Sequence, residues 1–263
     1  MKLRNKIAFF LMVTLAAPLA WVLAEASAAS ETVNGSGPQG LPLERVSGAD
    51  KAVARLKALR PEITVEHVLP TPIPGIYALE VPGGVFHVTE DGNYLIQGKL
   101  FQLGDSEIID LTDAARMPRR KALMDSVPLD DMVVFAPSGP TKAVLNVFTD
   151  VDCGFCQKFH QEVPQLNAMG IEVRYLAWPR GGMGTEGYSK LVTAWCSDDP
   201  HTAITKLKAR EQLPAVSCPN PVAEQFELGV KLGISGTPSI IFGDGRIFPG
   251  YRPADVLAEI VGI

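Results

Sequence analysis

The 263-residue chain carries 24 Lys and Arg against 29 Asp and Glu, a net charge of −5, and 46% of its residues are hydrophobic. That content can fill packed cores, and the length leaves room for about two domains on a prior of ~100–200 residues each. The acidic balance lacks the basic footprint that nucleic acid or an anionic lipid surface requires. Arg119-Arg120-Lys121, the one cluster of cations, reads as a solvated helix face.

Lys2, Arg4 and Lys6 precede the apolar run Ile7 to Leu23, and Ala26-Ser27-Ala28 follows as a small-residue cleavage site. The pattern predicts a signal peptide over residues 1–28. An uncleaved membrane anchor is the competing reading, because the apolar run is long; Pro18 and the Ala-x-Ala site weigh against it. Cleavage would leave the mature chain in an oxidising, extracytoplasmic space where disulfides persist.

Residues 29–45, rich in Gly, Ser, Pro and Asn, read as a flexible lead-in. Residues 46–110 read as a small α+β unit. Val53, Leu56 and Leu59 recur at helical spacing over Asp50 to Leu59, and Pro61 stops the helix. Tyr77, Leu79 and Val81 alternate; Val85 to Thr89 and Tyr94 to Leu103 flank Glu90-Asp91-Gly92-Asn93 as a hairpin. Such a unit is small to be stable alone. Having no cysteine and no acid–base cluster, it is expected to be structural. Residues 111–128 form a linker rich in helix formers, in which Pro118 must either start the helix or kink it. Residues 129–263 have an α/β pattern: strand, helix, the run Ile171 to Ala177, a helical insert, a strand near Ser239, a turn at Gly243-Asp244-Gly245 and a terminal helix from Pro253.

The chemistry lies in this second half. The apolar run Ala143 to Phe148 delivers Cys153-Gly154-Phe155-Cys156, and a helical pattern follows. Two thiols at a strand-to-helix step meet the positive end of a helix, which stabilises a thiolate and lowers a cysteine pKa from ~8.5 toward ~3.5–7. Cys153, at the helix start, is expected to be the exposed nucleophile; Cys156, one turn in, is expected to be shielded and to resolve the mixed disulfide. Asp150 and Asp152 on the strand side would oppose a thiolate, or are simply solvated. Gly236-Thr237-Pro238 precedes the apolar run Ser239 to Phe242, a position that favours a cis peptide without settling it. Together these features predict thiol-disulfide chemistry on a thioredoxin-like scaffold.

Cys196 and Cys218 lie 22 positions apart. A disulfide across the helical insert is the preferred reading, stabilising by ~3 kcal/mol on the loop-entropy model; a shared zinc site and two free thiols are the alternatives. No metal is expected, since a structural zinc site usually shows two short knuckles. His160 could touch the site or be a solvated helix residue; His67, His87 and His201 are isolated. Gly181-Gly182-Met183-Gly184 lacks the Lys-Ser/Thr ending of a phosphate loop. No cofactor is implied.

The sequence resembles the periplasmic DsbC/DsbG disulfide isomerase family across nearly all of the mature chain. Val147-Phe148-Thr149-Asp150 leading into Cys153-Gly154-Phe155-Cys156 carries the likeness, with Arg174 to Arg180, Trp195-Cys196, Leu232 to Pro238, Pro249-Gly250-Tyr251 and Asp91 to Gly98. The resemblance implies a V-shaped homodimer, with a cystatin-like N-terminal dimerisation domain, a linker helix, and an α/β thioredoxin-like domain with a helical insert. Two such catalytic domains would face an apolar cleft that holds misfolded disulfide-containing proteins.

On this chain the resemblance makes Cys153 the attacking and Cys156 the resolving cysteine. Gly154 and Phe155 lie between them, Thr237-Pro238 is the supporting cis-proline loop, and Cys196 with Cys218 is the structural disulfide. It further implies the membrane reductase DsbD as electron donor, and a dimer that hinders access to DsbB, the oxidase DsbA's partner. Gly-Phe stands where Gly-Tyr is commonest in isomerases and Pro-Tyr is typical of DsbG. Pro118 sits in the linker helix, and the lead-in has no counterpart. The expected function is a periplasmic disulfide isomerase and reductase. The alternatives are a DsbG-like reductase of oxidised single cysteines, or a chaperone that mainly holds unfolded chains; a net oxidase would make the dimerisation unit superfluous.

Overall fold

A computed structural model describes residues 48–82 and 84–263. The signal peptide, the lead-in and the start of the N-terminal unit expected from the sequence lie outside these residues. Among the described residues, no helix is long and apolar enough to cross a membrane.

In the N-terminal unit, helix α1 (Asp50–Leu59) turns Ala52 and Leu56 toward an antiparallel sheet of order β1-β2-β3-β4. Its strands are β1 (His67–Pro70), β2 (Ile76–Val81), β3 (Gly84–Thr89) and β4 (Leu95–Gln97). Leu79 and Val88 complete a small core with Ala52 and Leu56. The turn between β3 and β4 packs on α1 through Gly92, at φ 70°, where a Cβ would lie 3.0 Å from the Ala52 Cα. The stretch Tyr94 to Leu103, expected to form one hairpin arm, is divided. Gly98, at φ 146°, ends β4, and β5 (Phe101–Leu103) pairs with β6 (Ile108–Asp110) as a separate ribbon.

Helix α2 (Leu111–Asp125) follows directly, its N-terminus capped by the Asp110 side chain, which accepts from the Asp113 N–H at 2.9 Å. It starts at Leu111 and continues through Pro118, so the proline does not begin the helix. Tertiary contacts on both sides outweigh the lost backbone bond. Arg116 and Arg119 donate to the two oxygens of the buried Glu80 on β2, at 2.7 and 2.9 Å. Arg120 is itself buried, pairing with Asp113 at 2.6 Å and reaching the Gly245 carbonyl. Only Lys121 fits the solvated-face expectation, because the 3.6-residue period turns its two neighbours inward. The end of the helix places Met124 in a core with Phe148, Leu176, Trp178, Leu232, Ile234 and Ile241 of the second unit.

That unit is built on a five-stranded sheet of order β11-β10-β8-β9-β7. The strands are β7 (Val133–Phe135), β8 (Ala143–Thr149), β9 (Ile171–Ala177), β10 (Ser239–Phe242) and β11 (Ile247–Pro249). β8 and β9 run parallel, joined by α3 (Gly154–Met169); every other pairing is antiparallel. α3 stops at Gly170, in the left-handed region at φ 90°. Helices α4 (Glu186–Trp195), α5 (Pro200–Lys208) and α6 (Val222–Leu232) form the insert before β10, and α7 (Ala254–Ile260) closes the chain. The central β8 is covered on both faces, which is why its residues Leu145 to Thr149 are all buried instead of alternating. Burial of side chains such as Leu145, Phe148 and Phe159 contributes about 1.5–3 kcal/mol each.

Candidate active site

β8 ends at Thr149, the chain turns through Asp150, Val151 and Asp152, and Cys153 takes the N-cap position of α3. The register Ser239↔Phe148 sets the start of β10 beside the end of β8. Thr237–Pro238, a cis peptide, therefore lies against the cysteine pair. The Cys153 thiol donates to the Thr237 carbonyl at 3.2 Å. Gly250 N–H donates to the Pro238 carbonyl at 2.7 Å and holds the loop from the other side.

Both sulfurs are hidden. Cys153 is only 3% exposed and Cys156 fully buried, so the expected contrast between an exposed and a shielded cysteine becomes a contrast of environment. The Thr237–Pro238 loop covers Cys153, while the Phe155 ring projects outward, 65% exposed.

The two thiols ionise in opposite directions. The Cys156 thiol hydrogen-bonds the Cys153 sulfur and brings its pKa down to about 5 against the opposing effect of burial. The Thr237 hydroxyl, the Cys156 backbone N–H and the Arg180 charge act in the same direction. Burial, followed by that same hydrogen bond to Cys153, pushes the Cys156 thiol far up. Among the described residues, the Thr237 Oγ1 is buried and has no partner while Cys153 is a thiol, and it is placed to donate once Cys153 is a thiolate.

Asp150 departs from the solvated reading. It is buried, and its carboxylate accepts from the backbone N–H groups of Asp152 (2.8 Å) and Arg180 (2.9 Å) and from Arg180 Nε at 3.2 Å. Its carboxylate thus has the Arg180 guanidinium as a direct partner beside the site. Asp152 is exposed and pairs with Lys190 at 2.9 Å. His160 is likewise packed: Nδ1 lies 3.0 Å from the Tyr175 hydroxyl and Nε2 2.9 Å from Thr205 Oγ1, and burial lowers its pKa to about 4.

Two groups have no role assigned from the sequence. Arg180 has no local signal, since only the return of the chain after β9 brings it to Asp150. Lys208 does carry one. It lies four residues after Ile204 and one after Leu207, on the apolar face of α5, and it is 4% exposed. Its Nζ donates to Thr149 Oγ1 at 2.6 Å and stands 5.0 Å from the centre of the Tyr175 ring.

Cys196 and Cys218 are bonded, with Cα atoms 5.6 Å apart, and tie the end of α4 to the loop before α6. His87 is buried with its Nε2 3.4 Å from Thr112 Oγ1, and His201 Nε2 is 2.7 Å from the Val134 carbonyl. Among the described residues, no three His, Cys, Asp or Glu side chains converge as a metal site would require.

Residues 130–262 match the thioredoxin-like domain family, and residues 44–113 match the disulfide bond isomerase protein N-terminal domain. The thiol:disulfide interchange protein DsbC of Escherichia coli K12 is 32% identical over 214 residues, covering 81% of this chain and 88% of that protein. The DsbC of Haemophilus influenzae is 34% identical over 215 residues, 81% of this chain and 90% of its own. The chain belongs to the DsbC family. It is a thiol-disulfide oxidoreductase of the disulfide isomerase class, with the DsbC N-terminal domain followed by a thioredoxin-like domain. The disulfide interchange protein from Neisseria gonorrhoeae has a solved structure that is 31% identical, with a TM-score of 0.47 over 52% of this chain and 96% of that one.

Proposed function

We propose that this DsbC-family protein is a periplasmic homodimer that rearranges non-native disulfides in secreted proteins, using Cys153 as nucleophile and Cys156 as resolving thiol. The opposed ionisation of two adjacent sulfurs carries the reading. One is a thiolate at neutral pH, able to attack, and its neighbour keeps its proton until it is needed. Cys153 thiolate attacks a substrate disulfide, forming a Cys153–substrate bond and releasing the other substrate sulfur as a thiolate. That thiolate can attack elsewhere in the substrate until Cys153 is expelled, giving net isomerisation. Alternatively, Cys156 gives up its proton to solvent and attacks Cys153, releasing the second substrate sulfur and leaving the Cys153–Cys156 disulfide for an external reductant, DsbD by family analogy. Gly154, Phe155, Thr237 and Pro238 support this chemistry by holding and covering the pair, and the Cys196–Cys218 bond serves stability alone. Residues 1–28 direct export, 46–110 dimerise, 111–128 link, and 129–263 carry the catalysis.

An edge supports the dimer. All three residues of β4 are exposed at the border of the N-terminal sheet, with Ile96 at 55%; Leu103 (81%) and Ile108 (68%) on the β5–β6 ribbon are also uncovered. An apolar strand edge that no described strand pairs with is a template for pairing with a second copy. The test is reactivation of scrambled ribonuclease in glutathione buffer. Cys153→Ser should abolish it, and Cys156→Ser should accumulate a covalent complex that dithiothreitol releases. Wild-type rates in Cys153→Ser would sink the assignment.

A further inference from the structure

Lys208 has no role in the chemistry above, yet its position is an expensive one. A buried ammonium is strongly destabilising unless it is compensated. Here its polar partners are one hydroxyl, Thr149 Oγ1, and the face of Tyr175, and among the described residues it forms no ion pair. Both partners lead to the cysteines. Thr149 is the last residue of β8, next to the turn that delivers Cys153. The Tyr175 ring lies 6.3 Å from that of Phe159 and 5.8 Å from that of His160, which sit one turn beyond Cys156 on α3. The neighbouring carboxylate, Asp150, is engaged by Arg180.

We propose that the Lys208 ammonium is the buried counter-charge beneath the Cys153–Cys156 pair, a positioning residue that holds the pair toward its reduced state. This rests on the reading of Cys153 and Cys156 as the redox pair. In the disulfide the negative charge of the pair is gone and only Asp150, already engaged by Arg180, remains to face the ammonium; in the reduced pair the thiolate adds to it. The Cys153–Cys156 disulfide and two glutathione thiols give Cys153 thiolate, Cys156 thiol, glutathione disulfide and one proton released to buffer. Two electrons pass from glutathione to the pair.

The charges around Lys208 agree with this. Burial lowers its pKa to about 8, while Cys156, Asp150 and Cys153 pull it back up; in return its charge favours the Cys156 thiolate. The other titratable groups facing this region are His160 from α3, Tyr175 from β9 and Arg180 beyond β9; of these, His160 is held neutral and Tyr175 protonated by burial.

The experiment measures the glutathione equilibrium of the full chain and the thiolate absorbance of Cys153 against pH, in wild type and Lys208→Met. Loss of this buried charge should move the equilibrium about tenfold toward the disulfide and raise the Cys153 midpoint by about one pH unit. A lost packing role would lower the melting temperature and leave both readings where they are, which would overturn the proposal. Should Lys208→Met fail to fold, wild type supplies the reciprocal test. By linkage, NMR titration of the Lys208 amine should show a pKa about one unit lower in the oxidised than in the reduced protein. Equal values in the two states would also overturn it. Neither measurement uses a protein substrate, so a chain that fails to reactivate ribonuclease but shows the shift would sink the isomerase reading and leave Lys208 standing.

Discussion

At the scale of single residues, the site depends on how unequally two neighbouring sulfurs hold their protons. Because the fold lowers the Cys153 pKa, the thiolate stabilises the reduced protein fully above the ordinary cysteine range, about 8.5, and this contribution is lost as pH falls through about 5. The melting temperature of the reduced form relative to the oxidised form should therefore rise from pH 5 to 8.5, and alkylation of Cys153 should reach its plateau soon above pH 5. A flat difference across this window would mean that Cys153 titrates as an ordinary thiol. The cysteine motif was legible because its signals are local: an apolar run, two thiols one turn apart, and a helical period after them. What surrounds it was not. Asp150 and Arg180 stand 30 positions apart, and no spacing announces that one is buried and paired with the other. Lys208 was legible in principle, as a cation on an apolar helix face, but composition alone assigns such a residue to solvent.

Among the elements, α2 matters most, because it contacts both units. The β10–β11 turn meets it at Gly245, with φ 89° and a hypothetical Cβ 2.1 Å from the Met117 carbonyl oxygen. Gly245→Ala should cost about 1–3 kcal/mol from backbone strain alone and loosen the helix from the turn. Urea unfolding together with limited proteolysis within residues 117–128 would show both effects, and an unchanged midpoint would mean that the contact is not made. In the helical insert, Cys196→Ser with Cys218→Ser should lower stability by about 3 kcal/mol through the reopened loop; thermal unfolding reads this directly, while glutathione turnover at 25 °C should persist. Elements with a clear period were readable: α1 occupies the residues expected, and so does the apolar run of β8. The division of Tyr94 to Leu103 into β4 and β5 was not, because a single glycine at φ 146° decides it and glycine is tolerated within a strand as well. The inward turn of Arg116, Arg119 and Arg120 was hidden for a related reason, since their partners belong to other elements.

For the whole molecule, the open β4 edge and the cysteine site lie in different units, so assembly and chemistry should separate by mutation. Ile96→Asp places a charge on the edge. It should shift sedimentation from dimer to monomer and strongly reduce ribonuclease reactivation, while reduction of a small disulfide such as oxidised glutathione stays within about twofold, as expected where the thiolate's own pKa sets the rate. A dimer that survives Ile96→Asp would place the interface elsewhere. The concealment of Cys153 beneath the cis-proline loop, beside an outward-facing Phe155, also bears on which proteins can be served. A sulfur with so little open surface should be met fastest by a chain loose enough to bend its own disulfide inward past the ring. A compact native protein should do that far more slowly at the same redox balance. Discrimination between finished and unfinished folds would then need no recognition of sequence: the pliancy of the client sets its rate of repair, and a correctly formed bond is spared because its surroundings no longer yield.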